Sequence, residues 1–238
     1  MVDTVKLPIF LCIVSAFAGS AIVFTYKQTA GKIEAMKTDK QQKAVSAIFP
    51  RGVTLTENKF PDTPHTTYWM AKKNTATVGY AFHLVKRGYA GEISFMVGIA
   101  CDGTILGLKI LSQEEVPGRG ARIEEIIPDT YIWNGLFSKI KPADPWFTGQ
   151  FKGINILKPI RITVAEEWHR LSDRQKKAFT EDNMITAVTG ATVSTNAICS
   201  GIREYAARYL NKIPELNREQ SALTGDPAHK DSTCLRKN

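Results

Sequence analysis

The chain has no Cys-x-x-Cys pair and no histidines at ligand spacing. Cys12, Cys101, Cys199 and Cys234 stand far apart, as do His65, His83, His169 and His229. A metal or iron–sulfur site built by this chain alone is therefore not expected. The cysteines leave two readings open, a Cys101–Cys199 disulfide or free buried thiols. No nucleic-acid motif is present. The formal net charge of +8 is spread along the sequence. It reads as a solvated basic surface, or as a face for anionic lipid or an acidic partner. No dinucleotide fingerprint occurs: in Gly118-Arg119-Gly120-Ala121-Arg122-Ile123, Ile123 stands in place of the third glycine. No residue pattern reads as the acid or base of a hydride transfer, and no nicotinamide site is visible.

Charge is also missing from Leu7 to Tyr26, a run of twenty residues. That length crosses a bilayer as a helix. Pro8 is expected in the first turn, where proline is tolerated. Ala16, Ala18, Gly19 and Ser20 offer a small face for packing on another membrane helix. Ala16-Phe17-Ala18 resembles a leader cleavage site. The apolar run continues past it to Phe24, so an uncleaved anchor is expected. Gln28 to Phe49 then reads as a polar helix with a thin apolar stripe of Ile33, Met36, Val45 and Ile48, stopped by Pro50. Too little Gly, Pro or Ser is present there for a flexible linker.

The remaining length and an ordinary composition, 43% hydrophobic and 23% charged, allow one sizeable soluble domain. Thr67–Ala71, Val78–Val85, Ile93–Ile99 and Ile105–Leu111 are rich in aromatic and β-branched residues and predict strands. Asp102-Gly103 between the last two predicts a hairpin. Ile154–Leu157 and Arg161–Val164 read as further short strands. Trp146, Phe147 and Phe151 read equally as core or as walls around a planar ring.

Met184, Ile185, Ala187 and Val188 form an apolar run that ends in Thr189-Gly190-Ala191-Thr192-Val193-Ser194-Thr195. From Ile198 apolar residues recur at Ile202, Tyr205, Ala206 and Tyr209, which is helical spacing. Thr192, Ser194 and Thr195 all suit an N-cap. Hydroxyls, a glycine and free backbone N–H groups thus converge where a helix begins, a setting that favours a phosphate and also serves as a plain strand–turn–helix junction.

Thr189-Gly190-Ala191-Thr192 resembles the [ST]-G-A-T signature of the FMN-binding domain family. That family includes the G subunit of Rnf complexes and the C subunit of the Na+-translocating NADH:quinone reductase, Nqr. Further stretches match in order. Gly88-Tyr89-Ala90-Gly91 resembles the family's G-Y-[SA]-G, and Gln113-Glu114-Glu115-Val116-Pro117-Gly118-Arg119-Gly120 resembles its H-x-E-T-P-G-L-G loop beside the flavin. Trp146 and Gln150-Phe151-Lys152-Gly153 resemble another family stretch. Gln113, Val116 and Arg119 replace the family's usual His, Thr and Leu. Thr186 stands where transferase substrates usually carry Asp, although Asp182 lies slightly upstream.

The resemblance implies an α/β (α+β) flavoprotein with a mixed or antiparallel sheet. It implies FMN joined by a phosphodiester to Thr192, installed by a flavin transferase that uses FAD. The cofactor would be held by Thr189, Gly190, Ala191, Thr192, Ser194 and Thr195 from one loop, and by Glu115, Pro117, Gly118, Arg119 and Gly120 from the other. Arg119, where the family usually has Leu, reads either as a residue turned to solvent or to a partner subunit or as a cation near the N1–C2 edge of the ring. Partners would be other membrane and redox subunits of an Rnf- or Nqr-type complex, with the lipid bilayer around the anchor. Lysines after the span (Lys27, Lys32, Lys37, Lys40, Lys43) would keep the bulk of the chain in the cytoplasm by the positive-inside count. The resemblance implies an extracytoplasmic domain, and that orientation is expected here. The layout is then an anchor at 1–27, a helical stalk at 28–60, an FMN-binding domain at 61–212 and a mobile polar tail at 213–238. Two alternatives keep the same fold: a non-redox assembly or binding module without flavin, and a flavoprotein working alone with noncovalent FMN.

Overall fold

The computed structural model describes residues 2–60, 63–73, 76–126, 145–164, 166–206, 208 and 212. The chain divides into two units, Met1–Lys43 and Ala44–Asn238. Most of the first is helix α1, Val2–Ile48, whose last turn belongs to the second unit. This helix is long and apolar enough to cross a membrane. Phe10, Leu11, Phe17, Ile22 and Phe24 are all exposed along it. The Ser20 and Thr25 hydroxyls donate to the carbonyls of Ala16 and Ala21 at 2.7 and 2.8 Å. Their polar groups are thus satisfied inside the helix. Because α1 begins at Val2, Pro8 falls in the second turn and not the first. There its missing N–H removes one helical hydrogen bond.

The second unit is built on a five-stranded sheet in sequence order, every neighbouring pair antiparallel. Its strands are β1 (Thr54–Phe60), β2 (Thr63–Lys73), β3 (Ala76–Arg87), β4 (Glu92–Ala100) and β5 (Ile105–Gln113). Thr54–Phe60 was expected within the helical stalk and is instead an edge strand. Pro50 and Gly52, at φ +86°, end the helical path before it. The Asp102-Gly103 hairpin forms as expected. Gly103 takes φ +84°, and Asp102 Oδ1 accepts from Thr104 N at 2.9 Å.

The pleat sends alternate side chains to two cores. On one face, Trp69, Ala71, Ala81 and Met96 meet Ala44, Val45 and Phe49 from the end of α1. Gly98 pairs with Gly107 across β4 and β5, and Ile48 lies over both. A Cβ on Gly98 would collide with Ile48 Cγ2. On the other face, Tyr68, Tyr80, Phe82, Phe95 and Val97 join the larger core with the C-terminal elements. These are α2 (Trp146–Gly149), β6 (Arg161–Thr163), α3 (Asp173–Glu181), β7 (Met184–Thr186) and α4 (Thr192–Gly201), which runs into a π-turn at Ile202–Ala206. Strands β6 and β7 form a separate parallel pair. The domain is therefore α+β.

Trp146, Phe147 and Phe151 are core residues. Ile154–Leu157 does not form the expected strand. Only Asn155 makes a bridge, to Thr104, because Gly153 at φ +91° turns the chain and Asn155 Oδ1 accepts from Leu157 N at 2.8 Å. Cys199 is free and buried, so a Cys101–Cys199 disulfide is not formed. The tail at 213–238, with Cys234 and His229, lies outside the described residues, as does Tyr209.

Candidate functional site

Two clamps fix the chain entering the Thr-Gly-Ala-Thr segment. Gln150, fully buried, pairs its amide with the backbone of Thr186: Thr186 N donates to Oε1 at 2.7 Å and Nε2 donates to Thr186 O at 3.1 Å. Asn183, at φ 55°, receives Asn155 N on its Oδ1 at 2.7 Å and gives its Nδ2 to the carbonyls of Asn155, Lys158 and Pro159. Asparagine tolerates this left-handed backbone better than most residues. Sequence reasoning singled out neither role.

From β7 the chain passes through buried Ala187 and Val188 to an exposed turn at Thr189 and Gly190. Gly190 has φ +81°, and a Cβ there would meet nothing within 4 Å. Helix α4 then starts at Thr192. Its N-cap is Ala191, with no side-chain cap, so none of the three expected hydroxyl residues fills that role. The reason is packing. Thr195 is buried one turn inside, where its Oγ1 accepts from Val188 N at 3.3 Å and donates to Ala191 O at 3.0 Å. This bond staples the turn from beneath and leaves the Thr192 side chain exposed. Ser194 is buried, and its Oγ has no partner among the described residues.

The other loop leaves β5. Glu115, only 7% exposed, accepts from Tyr89 N at 2.7 Å and Ala90 N at 3.2 Å. Its carboxylate fills the space that side chains on Gly88 and Gly120 would take. Glu115 and Gly120 thus brace the loop against the Gly88–Gly91 turn. Gln113 supports them, its Oε1 accepting from Glu115 N at 2.7 Å. Pro117, Gly118 and Arg119 form the exposed crest, with Gly118 at φ +78° and open space beside it.

A 3-10 turn, Gly120–Glu124, follows. Its Arg122 joins the two loops: Nη1 donates to Thr189 O at 2.7 Å. Nη2 reaches Glu167 Oε1 at 2.9 Å, and Nε and Nη2 reach Glu125 Oε2 at 3.2 and 3.0 Å. Burial alone would lower the Arg122 pKa, but the hydrogen bonds and charges of Glu125 and Glu167 outweigh it and hold it above its ordinary value. Neither Arg122 nor Glu167 was singled out from sequence, since 45 residues separate them. Beyond Glu167, His169 Nδ1 lies 3.8 Å from Glu167 Oε2, and the Trp146 and His169 rings meet with centroids 5.3 Å apart.

The model of the FMN-binding domain family matches residues 88–207, which spans both loops. Among curated proteins, the chain is similar to the G subunit of the Na(+)-translocating ferredoxin:NAD(+) oxidoreductase complex of Acetobacterium woodii. Identity is 26% over 220 residues, covering 87% of this chain and 91% of that one. The G subunit of the ion-translocating oxidoreductase complex of Methanosarcina acetivorans is 23% identical, covering 84% and 91%. Its counterpart in Pasteurella multocida is 30% identical over 151 residues, 63% of this chain and 59% of that one. Among solved structures, NqrC of Shewanella oneidensis matches with a TM-score of 0.42 at 14% identity, covering 66% of this chain and 64% of that one. With the family model covering half of its length, including both loops of the site, this chain belongs to the FMN-binding domain family.

Proposed function

We propose that this chain is a membrane-anchored electron-transfer subunit of an Rnf-type ion-translocating complex, with FMN held as a phosphodiester on Thr192. The observation that carries this reading is the exposed Thr192 on the first residue of α4, a helix with no side-chain cap, within the Thr-Gly-Ala-Thr turn of an FMN-binding-family chain. The residues present fit the group. Uncapped first-turn N–H groups and the positive end of the helix favour a phosphate. Open space beside Gly190 and Gly118 leaves room for a planar ligand. Val193 and Val116, 50% and 43% exposed, offer apolar surface near it in sequence.

In the attachment step, Thr192 Oγ bonds to the phosphorus of the FMN half of FAD. The pyrophosphate bond breaks, and AMP leaves with the hydroxyl proton. A flavin transferase supplies the catalysis. The bound flavin supplies redox chemistry that can pass electrons singly, while this chain anchors the phosphate, braces the two loops and sets the environment around them. Donor and acceptor are redox centres on neighbouring subunits. The G-subunit relatives favour the Rnf assignment over the Nqr C subunit. Helix α1 would sit in the inner membrane with the domain outside the cytoplasm, where an ester bond keeps a cofactor that is not readily replaced. Thr186, in the place of the family's usual Asp, is the feature that favours the alternative, a module of the same fold without flavin.

In-gel ultraviolet fluorescence of the denatured protein, with intact mass, tests the reading. Wild-type protein matured with its transferase should fluoresce and carry the mass of FMN less one water. Thr192→Ala should lose both, and Thr189→Ala should retain some. Bright fluorescence from Thr192→Ala would overturn the assignment, and a dark wild-type protein would favour the flavin-free module or a noncovalent flavin.

A further inference from the structure

The geometry points to Arg122 as the positioning residue of the Thr-Gly-Ala-Thr turn. We infer that its guanidinium, oriented by Glu167 and Glu125, holds the Thr189 carbonyl and so sets how the Thr192 hydroxyl is presented; the link to flavin loading rests on the function proposed above.

Among the described residues little else holds the turn on its outer side. Thr189 and Gly190 are both exposed, and Gly190 at φ +81° offers the least backbone resistance of any residue to a change of path. The inner side is fastened by Thr195 and by Ala191 N, which donates to Val188 O at 2.8 Å. The Thr189–Gly190 peptide between them is held through its carbonyl by Arg122 Nη1, at 2.7 Å. A charge-assisted bond of that length is stronger than a neutral one and directional.

Arg122 is itself held on two sides. Its side chain is 27% exposed, and that of Glu167 is 11% exposed. Glu167 takes Nη2, while Glu125 takes both Nε and Nη2. A planar guanidinium gripped along these edges has one orientation, of which a lysine keeps the charge and a single donor to the Thr189 carbonyl. Two carboxylates face the one guanidinium, so its charge is engaged in place. Arg122 therefore acts through the turn, as a strut between the loop after β5 and the loop before α4, and not as a free cation for a ligand's phosphate. The strut joins segments 67 residues apart in sequence.

Amide hydrogen exchange on the unloaded full-length chain reads this directly. Arg122→Met should speed exchange at Val188 and Ala191, whose N–H groups are bonded within the turn, by about tenfold, about 1.4 kcal/mol of local opening, with the β4–β5 hairpin amides unchanged. The initial rate of flavin loading by transferase and FAD should fall in the same variant. Arg122→Lys, which keeps one charged donor, should recover part of that rate. Glu167→Gln should shift both readouts in the same direction by less, and it serves as the second probe should Arg122→Met not fold. Unchanged exchange at Val188 and Ala191 overturns the inference. So does exchange that rises equally throughout the domain, or an Arg122→Lys protein as slow to load as Arg122→Met, since those mark a merely structural salt bridge. If wild-type protein accepts no flavin, the function proposed above fails, and the exchange data still decide whether Arg122 holds the turn.

Discussion

Glu115 and Thr192 belong to motifs that the resemblance joins to one cofactor, yet they meet very different surroundings. The Glu115 carboxylate is buried and engaged by two backbone amides, in a space kept open by Gly88 and Gly120. The Thr192 side chain is exposed at a helix start. Glu115→Ala removes charge-assisted bonds to groups that then lie unsatisfied, so it should destabilise the domain by about 3 kcal/mol. Urea unfolding of the full chain in detergent measures this. A stability equal to wild type would mean that the carboxylate does not brace the Gly88–Gly91 turn. Glycine, proline and glutamate made a tight loop legible in the sequence. Which of them faces the core was not, because a motif records residue types and not the direction of a side chain.

Helix α4 carries the motif at one end and the buried Cys199 along its inner face. Burial pushes the Cys199 thiol up from 9.0 to about 12, partly offset by the nearby charge of Arg203. The thiol is therefore protonated across the physiological range. It should resist alkylation at pH 8 in the native protein and react only after denaturation, as peptide mass mapping would reveal. The sign of the linkage follows. A pKa raised on folding contributes stability that is present below the unfolded value near 9 and is lost as pH rises from there towards 12. Cys199→Ser should flatten this part of the stability–pH curve. Rapid labelling at pH 8 would place Cys199 at the surface. The helix itself was legible from the spacing of Ile198 and Ile202, both buried as that spacing requires. Its cap was not legible, since three hydroxyl residues lay within reach and packing of Thr195 selected Ala191.

The whole chain joins a long apolar helix to a sheet domain, and under the function proposed above its sidedness governs which flavin transferase would reach it. The lysines after the span and the proposed extracytoplasmic domain point in opposite directions. Arg51 is exposed just after α1, and a single cysteine placed there reports the side. In intact cells an impermeant thiol reagent should label it. Protection until the cells are opened would put the domain in the cytoplasm and exclude an extracytoplasmic transferase.

Local pattern was enough for the long apolar helix, the meander β2–β5, the Asp102-Gly103 hairpin and the helical period of α4. Each of these depends on residue types within one short window: an uncharged run, β-branched and aromatic clusters, a turn dipeptide, a helical period. Strand β1 and the core role of Trp146, Phe147 and Phe151 were settled only by partners distant in sequence. The same holds for the joining of the two motif loops. Arg122, Glu167 and Thr189 are ordinary in their own windows and become one unit only when β5 and β7 deliver their loops to the same place. An ion pair across 45 residues leaves no period, spacing or composition behind it, so tertiary packing alone decides it.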